Sequence, residues 1–154
     1  MSQFIAASII LTGTINLNGP IDEVFKLFSP MGEKMWVPGW SPELIHPAGV
    51  DWQEGMIFRT QEEKGPAIWT VLQLDCAFHS VNYFRSEVNR YAAVVEVTCT
   101  ALSARTTQAR VTYHFIGLTE EGNAEIKAMT PTAYQEKMAR WTKWINEYLA
   151  SRVN

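Results

Sequence analysis

The side chain with most to offer chemically in this sequence is Arg85. In the run Ser80 to Val88, Val81 and Tyr83 fall on one face of an alternating segment, and if they point into the fold Arg85 points with them. A guanidinium enclosed there needs a carboxylate or a ligand anion beside it. Glu87 and Asp75 are the carboxylates in reach, and a ligand headgroup would serve as well. A place near the strand end would instead let the long side chain run out to water. Tyr83 and Tyr113 bring hydroxyls to the same set of strands. The remaining reactive residues do not assemble into a motif. His46, His79 and His114 are scattered, and none has metal-ligand spacing or a Ser or Cys motif nearby. Cys76 and Cys99 each stand alone, which supports neither a disulfide framework nor zinc. G-x-S-x-G, H-E-x-x-H and G-x-G-x-x-G are absent. Glu96 lies opposite the apolar set of its segment. No catalytic residue, metal or cofactor is assigned on these grounds.

The more abundant resource is aromatic: six Trp, five Tyr and seven Phe in 154 residues. Such rings fill cores and also line ligand pockets. A face of the last apolar segment carries Tyr134, Met138, Trp141 and Ile145, which suits a core stripe and a pocket wall alike. Trp36 and Trp40 flank Pro38-Gly39, where they would either form the mouth of a cavity or plug it. Phe58, Trp69, Val71, Val81, Tyr83, Val95, Val97, Val111 and Tyr113 form the expected inward set of the strands. The stretch 67–75 is ambiguous. Trp69 and Val71 share a face with Gln73 and Asp75, the opposite face (Ile68, Leu72, Leu74) is more apolar, and a one-residue bulge would reverse the choice.

These residues need elements to hold them, and the order of elements is readable. Phe4 to Leu17 alternates as a half-buried strand. Asn18-Gly19-Pro20 breaks it. Pro20, Asp22 and Glu23 suit the start of a helix whose stripe is Val24, Phe25, Leu27 and Phe28. Glu33 to Trp36 is a candidate further turn. Strands are then expected over 43–46, 56–61, 67–75, 80–88, 91–103 and 107–118, separated by short turns such as Glu62 to Pro66 and Asn89-Arg90, which implies antiparallel pairing. A short helix over 120–129 contains the unfavourable Gly122. Thr130-Pro131 then opens a long amphipathic helix. A curved sheet with one apolar face requires a cover, and this helix provides it. The whole chain, 1–154, is expected to form one α+β domain.

That order, with Leu17 to Phe25, Trp36 to Trp40 and Thr112 to Gly122 ahead of Tyr134 to Leu149, resembles the START-like (SRPBCC, polyketide cyclase-like) superfamily, with no characterised subfamily matched. The resemblance implies a helix-grip fold: a curved seven-stranded antiparallel sheet wrapped around a long C-terminal helix, with one or two short helices after the first strand. It also implies a cavity between sheet and helix, since members of the superfamily bind lipids, sterols, polyketides or hormones, or act as cyclases and aromatases. Fold alone does not choose among these.

The function expected is therefore binding or carriage of a small hydrophobic molecule. The residues proposed to contact it are Trp36, Trp40, Phe58, Trp69, Tyr83, Arg85, Val97, Tyr113, Tyr134, Met138 and Trp141. A cyclase/aromatase-like or hydrolytic enzyme using the same cavity and a protein-interaction module are the alternatives. The formal charge of −3, without a basic stripe, speaks against nucleic acid. The first residues lack a basic leader and no apolar run spans a bilayer, so a cytoplasmic protein with no integral membrane association is expected. A homodimer is compatible with the sequence, but no residue specifies its interface.

Overall fold

A computed structural model describes residues 3–152. Ten residues of period-two hydrophobicity form β1 (Ser8–Leu17), with Leu11, Ile15 and Leu17 buried. The strand begins later than the alternation suggests. Phe4 and Ile5 are exposed, and the chain before Ser8 is held by Asn123, whose side chain accepts from Ala7 N–H (2.8 Å) and donates to Ile5 C=O (2.9 Å). Ile5 C=O and Ala7 N–H thus have a side-chain partner outside the sheet ladder.

Helix α1 (Ile21–Lys26) follows, with Pro20 one residue ahead of it in extended conformation. Val24, Phe25, Leu27 and Phe28 are all buried beneath the sheet's inner face. A 3₁₀ turn, Gly32–Met35, comes next. Six strands then run β2 (Glu43–His46), β3 (Ile57–Glu62), β4 (Gly65–Asp75), β5 (Ser80–Ser86), β6 (Tyr91–Ser103) and β7 (Thr106–Gly117). With β1 they form one antiparallel sheet in the order β1-β7-β6-β5-β4-β3-β2. The first strand joins the last, so one face of the sheet is presented as a continuous concave surface.

The ambiguity in β4 resolves through a register shift between Val71 and Gln73. Ala67, Trp69 and Val71 are buried before the shift; after it Leu74 lies opposite the buried Val81, while Leu72 is exposed. The bulge thus keeps Trp69 and Val71 inward and turns Leu74 to the same side, while Ile68 and Leu72 of the more apolar face stay exposed.

Helix α2 (Glu120–Lys127) is capped by Thr119, whose hydroxyl accepts from Gly122 N–H at 3.0 Å. Gly122 is there for proximity: a Cβ at this position would stand 1.5 Å from the carbonyl oxygen of Arg90. Thr130 caps α3 (Pro131–Ser151), and its Oγ1 accepts from Ala133 N–H at 3.1 Å. Tyr134, Met138, Trp141, Ile145 and Leu149 recur at steps of three and four and are buried. At about 1.5 Å per residue α3 reaches roughly 30 Å, enough to cross the sheet. Neither α3 nor any other described helix is long and apolar enough to cross a membrane.

Candidate functional site

Between the concave face of the sheet and α3 lies a cavity of about 400 Å³. Its deep walls are aromatic. Phe58 and Trp69 stack at 5.5 Å between ring centroids, and Tyr113 and Phe115 at 5.2 Å. Trp141 closes the helix side, edge-on to Tyr113 at 6.4 Å. Val95 and Val97 supply the floor. Half-buried Val37 and Trp40 and exposed Glu63 mark the mouth, with Trp40 edge-on to Trp69 at 5.7 Å.

Of the residues expected to contact a ligand, Trp40, Phe58, Trp69, Tyr83, Arg85, Val97, Tyr113 and Trp141 line this one cavity. Trp36, Tyr134 and Met138 do not. The Trp36 indole is spent on the core: its N–H donates to Leu27 C=O (2.8 Å), and the ring packs edge-on against Phe28 and Trp141. The Tyr134 hydroxyl donates to Val111 C=O at 2.7 Å. Met138 is pinned where α3 packs on β1, its Cγ only 3.1 Å from where a Cβ on Gly13 would be. So the stripe on α3 is divided: part seals the helix onto the sheet, and Trp141 reaches the space left open.

Arg85 is 8% exposed and does not run out to water. Its guanidinium donates to Glu87 Oε2 (2.9 Å) and lies 3.4 Å from Glu62 Oε1, over the rings of Trp69 and Tyr91. Asp75 lies at the far end of β4, opposite Ser80, and plays no part. Glu87 is itself buried and accepts from Arg90 as well. Arg85 Nε is buried without a hydrogen-bond partner. The headgroup role foreseen for Arg85 is therefore largely taken by two carboxylates of the protein.

Sequence reasoning missed the two groups that best suit a ligand. Glu33, in the 3₁₀ turn, and Lys137, on α3, both line this cavity. Burial pushes the Glu33 carboxyl up from 4.5 to about 8, against the pull of Lys137. Burial first, then the charge of Arg85, lowers the Lys137 amine from 10.5 to about 8. Both side chains keep part of their surface exposed. The Lys137 ammonium sits over the rings of Tyr113 (4.1 Å) and Trp141 (5.3 Å). Tyr83 is a different case, because its hydroxyl donates to Phe28 C=O (2.7 Å) and accepts from Trp52 N–H (3.0 Å). A signal for Lys137 existed: it stands three residues after Tyr134 and four before Trp141, at the edge of the apolar stripe. Glu33 carried none, because nothing local says that the turn folds over the sheet.

Among the described residues no group of His, Cys, Asp or Glu side chains could hold a metal ion. What the arrangement can do is surround a compact, partly aromatic molecule and present to it an amine, a carboxyl and the Tyr113 hydroxyl.

No protein-family model matches the chain, and no curated protein matches it in sequence. Solved structures do match in fold. Truncated norcoclaurine synthase from Thalictrum flavum superposes with a TM-score of 0.67 at 12% identity, over 96% of this chain and 99% of that one. Ara h 8.0201 is another, with a TM-score of 0.69 at 14% identity, over 95% of this chain and 100% of that one. The Zhui aromatase/cyclase from Streptomyces sp. R1128 gives 0.66 at 17% identity, over 96% and 97%. At such identities the likeness is one of fold. The chain has the helix-grip fold that the resemblance implies.

Proposed function

We propose that this chain binds a compact, largely apolar molecule with an aromatic body and at least one polar group, enclosed between the sheet and α3. The observation that carries the reading is the cavity of about 400 Å³ walled by Phe58, Trp69, Tyr113, Phe115 and Trp141. Ligand pockets span about 300–1,000 Å³, so this one suits a small ring system better than a long acyl chain. The names of two structures with this fold, a norcoclaurine synthase and an aromatase/cyclase, add support for aromatic ligands. The placing of Glu33, Tyr113 and Lys137 in one lining favours the second reading, chemistry on the same ligand.

Native mass spectrometry of freshly purified protein, and of protein mixed with a panel of compact aromatic acids, alcohols and polyketide-like phenols, tests the binding reading. A one-to-one complex that Tyr113→Ala weakens is the expected result. A bare mass throughout, with no thermal shift from any member of the panel, would count against it.

A further inference from the structure

We propose that Lys137 captures carbonyl compounds: it forms a Schiff base with an aldehyde or ketone held in the cavity, and Glu33 is the acid that protonates the departing oxygen. This rests on the cavity-binding reading above and names the class of molecule that the cavity takes.

The placement of the amine is unusual within this chain. Of the six lysines, Lys26, Lys34, Lys64, Lys127 and Lys143 are exposed, and Lys137 alone is drawn inward. Among the described residues no carboxylate comes within 4.0 Å of its Nζ, so no ion pair ties it down. It lies instead on the faces of Tyr113 and Trp141, which form part of the same wall. The charges that act on it are Arg85 and Arg140, which oppose a further positive charge, and Glu33 and Glu62, which favour it. Burial and the arginines win, and the amine loses its proton far more readily than an exposed lysine does. A desolvated, deprotonated lysine is the nucleophile that carbonyl chemistry requires. An aromatic aldehyde would stack on the rings that already flank the amine.

The step balances within the residues present. The neutral Lys137 amine adds to the carbonyl carbon, and a proton moves from nitrogen to oxygen to give a carbinolamine. The C–O bond then breaks, and the oxygen leaves as water with a proton from the Glu33 carboxyl. The products are a protonated imine on Lys137 and a Glu33 carboxylate, opposite charges in one enclosed space.

The test uses cinnamaldehyde with cyanoborohydride at pH 7, read by intact mass and peptide mapping, alongside binding of cinnamyl alcohol, which cannot form an imine. An amine with a pKa near 8 holds on the order of 10²-fold more of its neutral form at pH 7 than an ordinary lysine. Beside label on the terminal α-amine, which titrates in the same range, one adduct per chain is expected, at Lys137, exceeding the label on any exposed lysine by about ten-fold or more. Lys137→Arg and Lys137→Met should abolish it, and the alcohol should still bind at least one of them. Glu33→Gln should slow capture while the alcohol still binds. Label confined to exposed lysines, with the alcohol bound, would overturn the lysine assignment and leave the cavity reading standing. Failure of both aldehyde and alcohol to bind would overturn both.

Discussion

Val95 and Val111 are both buried on the concave face, on neighbouring strands, yet one borders the cavity and the other does not. Replacing each by Phe therefore separates empty space from packed core. The substitution adds four carbons, and at about 0.8 kcal/mol per buried carbon the gross gain is at most ~3 kcal/mol. At Val95 the ring enters a volume of about 400 Å³, so the gain offsets residual strain. A net change within about 1 kcal/mol is expected there. Val111 has no exposed surface and its carbonyl anchors Tyr134. Overpacking at such a site costs about 1–3 kcal/mol, with little gain to set against it. For a chain of this length 1 kcal/mol moves Tm by about 2–4 °C. Thermal unfolding followed by circular dichroism should place Val95→Phe within about 4 °C of the parent and Val111→Phe about 4–10 °C below it. In the same samples Val95→Phe should lose the one-to-one aromatic complex. Equal destabilisation of the two variants would mean that the space is closed in solution, and the reasoning from cavity to ligand would fail with it.

Other outcomes follow from the same geometry. Because the folded-state pKa of Glu33 is raised, folding takes up a proton between pH 4.5 and about 8, so the parent loses stability as pH rises through that window. Glu33→Gln should be increasingly more stable than the parent across it, with a level difference above pH 8; denaturant titrations that give parallel curves would refute the burial of this carboxyl. Lys137 has the opposite dependence, since its lowered value makes stability rise from about pH 8 to 10.5. Gly122→Ala should destabilise by about 2 kcal/mol or more, even though Ala is the better helix former by about 1 kcal/mol. Its Cβ has to displace the Arg90 carbonyl, and a rise in Tm would show that α2 is free to shift.

Much of this architecture is legible in the chain because its periodicities are clean. Val81, Tyr83 and Arg85 share a face, as alternation requires, and the cap at Thr130 sits where an oxygen is needed. The failures have a common cause, which is distance between elements. Tyr134 and Met138 belong to the same stripe as Trp141, and nothing in their spacing tells which part of α3 is pressed onto the sheet. That depends on Gly13, more than a hundred residues away, which lets the helix descend onto β1. Glu33 is likewise an ordinary acidic residue of a short turn until the turn is seen beside Lys137. For Arg85 the alternation offers an inward direction with Glu87, Asp75 or a ligand as partner, and a course to water beside it; Glu62 joins only through the pairing of β3 with β4 and β4 with β5.

The charged end of the cavity continues outward. From Glu62 and Arg85 the contacts pass to Glu87, Arg90, Glu125 and finally Lys64, in the turn between β3 and β4. The sequence of alternating signs makes a loop that returns to the hairpin where it began. Its inner members, Arg85 and Glu87, are nearly closed to solvent, while Lys64 is exposed. Mobile ions screen exposed charges strongly and buried ones weakly. The hairpin is thus fastened to α2 by a clasp of unequal halves: salt loosens the outer half while the inner half holds, so ionic strength acts on the rim of the cavity without reaching its floor.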